Sequence, residues 1–330
     1  MSDVTIFTPA PILTVTVEEH QNGDEVHIHA GGQGVWQARM LRSLGVSVSM
    51  CCVLTGETGT VLKHLLEDEG FDVVGVEREG RGPSYLHDRR EGKRTEIAKE
   101  LGDALGRHDL DEVYSLVLRE GLASSLVILS GPAGEDVLPA DTYRRLAADL
   151  RQGGAKVIVD LSGDRMDAAV DGGVDVLKVS HEELEADGLI SEPSASQIQD
   201  AMRTLRERGA DVIIVTRASD SLLFLDGDGF LEVTPPRLEV ADTRGAGDSL
   251  TAGVVAAMAA GESPRDAITL GAAAGALNVT RHGLGTGDAG AIHQLRGSVA
   301  VRTLDEDRPR GASGRVSPDG LAALAQQDES

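Results

Sequence analysis

Apolar and polar residues follow two rhythms along this chain. Near the N-terminus, Leu13–Glu18 and Glu25–His29 alternate at period two around Gln21-Asn22-Gly23-Asp24, which predicts a hairpin with one wet face. Ser84–Ala98 repeats the pattern around Glu91-Gly92. Elsewhere, short aliphatic runs predict strands at Val4–Thr8, Val46–Leu54, Val73–Val76, Leu126–Leu129, Lys156–Asp160, Val176–Val179 and Val212–Thr216. A helix opens at Gly31-Gly32-Gln33-Gly34 and runs to about Leu44; others are expected near 58–69, 139–152, 164–171, 181–187 and 194–208. Strands alternating with helices predict a mostly parallel sheet covered on both faces. Leu222–Asp226 and Phe230–Thr234 add an antiparallel pair, and apolar helices at 247–260 and 264–281 close the domain.

Composition sharpens this picture. Apolar residues make up 41% of 330 but aromatics only 2%, so the core is expected to be aliphatic. Acidic residues outnumber basic ones by 54 to 31, a formal charge of −23, which argues against nucleic acid and anionic membrane as partners. A phosphorylated ligand would need a local positive site. Adjacent Cys51 and Cys52 read as small apolar residues of a buried strand in a reduced, cytoplasmic protein. The N-terminal stretch has no signal-peptide pattern, and the apolar runs 249–261 and 267–279 fall short of the roughly 20 residues a membrane helix needs. Residues 303–330 are acidic and poor in large apolar side chains; they are expected to form a mobile tail, with a weak helix at 317–327, after a single domain at 1–302.

The most informative stretch is Asp242-Thr243-Arg244-Gly245-Ala246-Gly247-Asp248-Ser249, leading into an apolar helix. Small residues let a ligand approach the backbone, and a helix start offers unpaired amides and the positive end of the macrodipole. A carboxylate there is poised to take a proton from a hydroxyl attacking a phosphoryl group. The plainer alternative is an N-cap at Asp248 with glycines for tight packing. No Walker lysine motif is present, and Gly56-Glu57-Thr58-Gly59 lacks the full dinucleotide pattern.

Several motifs in order resemble the ribokinase-like (pfkB) carbohydrate kinases, especially the 1-phosphofructokinase and tagatose-6-phosphate kinase branch. Residues 242–248 match Asp-Thr-x-Gly-Ala-Gly-Asp; Ala30-Gly31-Gly32-Gln33-Gly34 resembles the Gly-Gly-Lys-Gly sugar segment; Asp160-Leu161-Ser162-Gly163 and Lys178-Val179-Ser180-His181-Glu182-Glu183-Leu184 resemble Asp-x-Ser-Gly and Lys-Pro-Asn-x-x-Glu-Leu. The resemblance runs from about residue 4 to 302 and implies a three-layer αβα sandwich with a small β-sheet lid made by hairpins at about 12–30 and 84–98. It implies ATP-dependent phosphorylation of a hydroxyl on a sugar, sugar phosphate or related polyol. Asp248 would be the general base, and the amides of Gly245, Ala246 and Gly247 would hold the transferring phosphoryl. Glu183 would position Mg²⁺ through water. Thr216, Arg217, Ala218, Ser221, Ser180 and Asn278 would serve the nucleotide, and Thr14, Gly31, Gly32, Gln33 and Trp36 the acceptor. Asp242, Arg244, Asn278, Arg281, Gly283 and Gly287 align with a monovalent-cation (K⁺) loop, and the lid with a homodimer interface.

Departures fall on ligand contacts. The Asp that grips sugar hydroxyls is Thr14, the Lys and Asn of the sugar segment are Gln33 and Trp36, and the lid's Thr-Arg-x-Asn is Gly82-Pro83-Ser84-Tyr85. Each missing partner removes on the order of 1–3 kcal/mol, which argues against fructose 1-phosphate and tagatose 6-phosphate as acceptors. On the donor side both glycines of a Thr-x-Gly-x-x-Gly loop carry side chains, as Ala218 and Ser221. Two alternatives therefore stand beside the sugar kinase: a nucleoside or other ring acceptor stacked on Trp36, and an idle relative that only binds a metabolite. Trp36 itself is either a stacking platform or core filling. His27 and His29 share one lid face and read as surface histidines. Arg89, Arg90, Lys93 and Arg94 form either a solvated hairpin tip or a replacement phosphate grip.

Overall fold

Uninterrupted aliphatic runs give up backbone hydrogen bonds to water only if neighbouring strands replace them, and here they do so in one wide sheet. The structure, a computed structural model, describes residues 2–124, 126–132, 134, 136–281 and 285–304. The chain starts with β1 (Val4–Phe7), the hairpin β2 (Ile12–His20) and β3 (Gly23–Gly31), α1 (Gln33–Ser43), β4 (Val48–Thr55), α2 (Gly56–Asp68) and β5 (Asp72–Arg78). The second hairpin, β6 (Ser84–Asp88) and β7 (Thr95–Glu100), leads to α3 (Arg107–Ser124), β8 (Leu126–Ser130), α4 (Asp141–Gln152), β9 (Lys156–Asp160), α5 (Gly163–Gly172) and β10 (Val174–Ser180). There follow α6 (His181–Ala186), α7 (Ala195–Arg208), β11 (Ala210–Arg217), β12 (Asp220–Asp226) and β13 (Gly229–Thr234). The described chain ends with α8 (Ala246–Ala259), α9 (Pro264–Asn278), α10 (Ala289–Arg296) and β14 (Ala300–Leu304).

The large sheet runs β14-β13-β12-β11-β10-β9-β8-β1-β4-β5. From β11 to β5 every pairing is parallel, and β12, β13 and β14 extend it antiparallel. Successive side chains point to opposite faces, so β8 sends Ile128 into one core and Val127 and Leu129 into the other. The first core is closed by α1, α2, α8, α9 and α10, the second by α3, α4, α5 and α7. This is the three-layer sandwich the resemblance implies. Cys51 and Cys52 lie side by side in the fully buried β4; burial raises both thiols, Cys52 to about 12.

The hairpins do not stand apart. Parallel pairing of β2 with β6, Thr14 opposite Tyr85 and Thr16 opposite His87, joins them into one four-stranded sheet, β3-β2-β6-β7. Three elements were not foreseen from sequence. α3 fully buries only Val113, Val117 and Gly121, with Leu110, Tyr114, Leu116 and Leu118 packed partly buried beside them, and α10 fully buries only Ile292. β14 pairs Thr303 with Leu231 and Leu304 with Phe230, so the domain reaches two residues into the span expected to be tail. The rest of that span, including the helix at 317–327, lies outside the described residues.

Candidate active site

The carboxyl ends of β1, β8, β9, β10 and β11 share one rim of the sheet, the position where open parallel sheets place ligands. Asp160 ends β9, Ser180 ends β10, and Thr216 and Arg217 end β11. α8 begins at the same rim with Gly245 as N-cap at φ 72°, a left-handed conformation that glycine adopts without steric penalty. No side chain caps this helix, so its first amides remain open to a ligand.

Asp248 lies in that first turn, 8% exposed, and the Gln33 side chain nearby favours its charged form. Burial, then the neighbouring charge of Asp160, push its pKa up to about 7; Lys178 works in the opposite direction. Asp160 anchors a buried polar web. Its carboxylate accepts from Lys178 Nζ at 3.0 Å, Thr251 Oγ1 at 2.9 Å and Gln37 Nε2 at 3.0 Å. Ser130 Oγ donates to Gln37 Oε1 at 2.5 Å, and Tyr143 donates to the Ser130 carbonyl at 2.9 Å. A cavity of about 260 Å³ opens above, lined by Ile12, Gly32, Gln33, Trp36, Asp160 and Glu183 among others.

The lid presents Thr14, Thr16, His29, Tyr85 and His87 on one face, by strand register. Thr14 presses on Gly31, where an added Cβ would come within 2.6 Å of Thr14 Oγ1. His87 bonds Thr16 at 3.2 Å through Nε2, while its buried Nδ1 has no protein partner. Burial first, then Arg94 and Arg89, push this imidazole down to about 4, so it is neutral at pH 7. Arg94 lays its guanidinium 5.6 Å above the Tyr85 ring, and its buried Nε also lacks a protein partner.

A carboxylate beside uncapped helix amides, under a polar lid, is a phosphotransfer arrangement, and comparison with known families decides which. The family model described as pfkB family carbohydrate kinase matches residues 3–289. The chain belongs to the pfkB family of carbohydrate kinases. Among curated relatives, the 1-phosphofructokinase of Bacillus subtilis is 27% identical over 284 residues, covering 84% of this chain and 89% of the relative. Phosphofructokinase-2 from Escherichia coli, solved in complex with potassium, has a TM-score of 0.79 at 24% identity, covering 90% of this chain and 99% of that one. Ribokinase of Arabidopsis thaliana, solved with ribose and ATP, has a TM-score of 0.68 at 21% identity, covering 89% and 98%. At these identities the solved structures establish the fold alone.

Within this carbohydrate kinase the expected residues separate into groups. Gly32, Gln33, Trp36 and Glu183 line the cavity, with Trp36 half-buried in its wall; Asp248 is not in that lining but has Gln33, Asp160 and Glu183 as neighbours. Glu183 and Ser180 form a capping box on α6: Ser180 N donates to Glu183 Oε2 at 2.7 Å, and Glu183 N donates to Ser180 Oγ at 3.2 Å. On the donor side, Ala218 has φ 48°, the left-handed turn a glycine would take freely, so the loop keeps its shape with a strained residue. Arg217 Nε donates to the Ser221 carbonyl at 2.5 Å and helps hold that turn.

Asn278 differs from expectation. It is fully buried, its amide donating to the Arg244 carbonyl at 2.7 Å and accepting from Gly285 N at 3.3 Å, so both ends of its side chain brace the backbone before α8 and after α9. Asp242 holds the Arg244 guanidinium through Nη2 at 2.5 Å, Arg281 N donates to the Asn278 carbonyl, and Gly283 lies outside the described residues. The basic cluster divides. Arg90 pairs with Asp88 and Asp24, and Arg89 with Glu18, as a hairpin tip should, whereas Arg94 turns inward. His27 pairs with Glu25 at 3.5 Å.

In the sequence Asp160 and Lys178 appear only as letters of the family motifs, and Thr251 and His87 fall outside them. A usable signal existed for Thr251, which follows Asp248 by three residues and so shares its helix face.

Proposed function

We propose that this kinase transfers the γ-phosphoryl of ATP to a hydroxyl of a small sugar or polyol that carries an anionic group. The observation that carries the reading is Asp248, buried at the uncapped start of α8 with the cavity-lining residues Gln33, Asp160 and Glu183 as its polar and charged neighbours. The acceptor oxygen forms a bond to the γ-phosphorus as the bridging bond to ADP breaks. Asp248 takes the hydroxyl proton, and the 245–247 amides meet the charge gathering on the transferred group. Mg²⁺, when bound with the donor, shields phosphate charge; Glu183, at the cavity wall with one carboxylate oxygen already given to Ser180, is the residue suited to hold it through water.

Arg94 and His87 each keep a buried nitrogen unpartnered on the acceptor face. Arg94 is also held below its ordinary pKa, first by burial and then by the like charges of Arg244 and Arg89. Cations gathered this way favour a phosphate or carboxylate between them. A second reading rests on Trp36 in the cavity wall, which suits a planar acceptor such as a nucleoside.

Three further assignments belong to this proposal. The 242–287 stretch takes a monovalent cation, in keeping with the potassium complex of the Escherichia coli neighbour. Val26 and Ile28, 61% and 53% exposed, cover the outer lid face and serve as a homodimer contact. Two reduced, buried cysteines fit the cytoplasm; among the described residues no helix is long and apolar enough to cross a membrane.

The test is ADP release from Mg·ATP across a panel of free sugars, sugar phosphates, sugar acids and nucleosides. Turnover with an anionic sugar, abolished in Asp248→Asn, is expected. Nucleoside turnover would favour the Trp36 reading, and ATP binding without turnover on any acceptor would leave an idle binder.

A further inference from the structure

Lys178 has no role in the phosphotransfer described so far, yet its position is unusual. It is a buried cation on β10, reaching the first turn of α8 so closely that a Cβ on Gly247 would fall 2.7 Å from its Nζ. Of its three donors, one goes to Asp160 at 3.0 Å, its one hydrogen bond among the described residues. Burial alone would discharge such an amine. The carboxylates of Asp160, Glu183 and Asp248 outweigh that effect and raise its pKa, so the ammonium is fixed. Asp248 meanwhile has charged or polar neighbours from four elements: Asp160 on β9, Lys178 on β10, Glu183 on α6 and Gln33 on α1. Two of these, Asp160 and Glu183, are acids that oppose its ionisation, and the Lys178 ammonium favours it.

From this arrangement we infer that Lys178 is a positioning residue for the base, a fixed cation that screens Asp248 from Asp160 and adds positive field to the 245–247 amides. Thr251 and Gln37, both donating to Asp160 Oδ2, steady the opposite side of the pair. Glycine at 247 leaves room for the ammonium, which a side chain there would push aside. The inference rests on the kinase reading for its meaning, but its test need not.

The carboxyl carbon of Asp248 can be followed by ¹³C NMR in the full chain without substrate, assigned by its loss in Asp248→Asn. Lys178→Met should move the midpoint upward by about one pH unit or more, and Asp160→Asn should move it downward. The double variant should return toward the wild-type value, because screening matters only while the neighbouring acid is charged. If Lys178→Met loses its native circular dichroism, Lys178→Gln, which can still donate to Asp160, and Asp160→Asn carry the same comparison. A midpoint unmoved or lowered in the lysine variants, or a double variant no nearer wild type than Lys178→Met, would overturn the inference. Absence of turnover on every acceptor would reject the kinase reading while leaving the titration result to stand or fall by itself.

Discussion

Below the cleft, one carboxylate, Asp160, receives donors from β10, α8 and α1. Across it, the lid holds Arg94 over an aromatic ring and leaves buried nitrogens of Arg94 and His87 without protein partners. Donors from three elements converge on that one acid in the floor, and buried polar webs lose heavily when one member is removed. The lid is polar on the inside and apolar on the outside, with few internal partners to fix its side chains. The difference suggests a division of labour: the reaction is set by the floor, and the choice of acceptor by the side whose hydrogen bonds wait for a ligand.

The contrast can be broken most sharply at the floor. Asp248→Asn should reduce kcat by about 10²–10⁴ with little change in acceptor KM, measured by coupled ADP release. At the lid, Arg94→Ala should raise KM for an anionic acceptor about 10–100-fold, from about 1.5–3 kcal/mol per charge-assisted bond, and leave kcat largely intact. An equal loss of kcat in that variant would erase the division. Next comes pH. Asp248 must be ionised to accept a proton, and its pKa is raised to about 7, so kcat/KM should fall about tenfold per pH unit below 7 and level off above it. A limb near pH 4 would mean the base is more open to water than the structure shows. Replacing Val26 and Ile28 with Lys should halve the mass seen by light scattering if the outer lid joins two copies. The smallest effect concerns Ala218 at φ 48°: Ala218→Gly should stabilise the protein by about 0.5–1 kcal/mol in urea unfolding.

Much of the floor was legible in sequence because its parts are local. Gly-Ala-Gly-Asp followed by an apolar helix announces an anion site in eight residues, and strands such as Leu126–Ser130 are unbroken apolar runs apart from the last residue. The web around Asp160 was not, since Gln37, Asp160, Lys178 and Thr251 come together only when strand order is known. Arg94 was indistinguishable from Arg89 and Arg90 in the chain. A register shift at Leu86/His87 changes how the two lid strands face one another, and alternation alone does not reveal it. α3 was overlooked because Val113, Val117 and Gly121 stand among polar and charged residues with Leu116 and Leu118 interspersed, which blurs the period, although their spacing of four is helical. β14 needed the free edge of β13, a tertiary condition with no local trace.

The paired thiols of β4 have a practical consequence. Cys51 and Cys52 sit in the middle of a strand with neighbours on both sides, and burial keeps them protonated and unreactive. A disulfide reagent should therefore ignore lid opening and ligand exchange, and react only when the whole sheet comes apart. Labelling kinetics at this site would serve as an internal clock for global unfolding, against which faster motions of the rim can be timed.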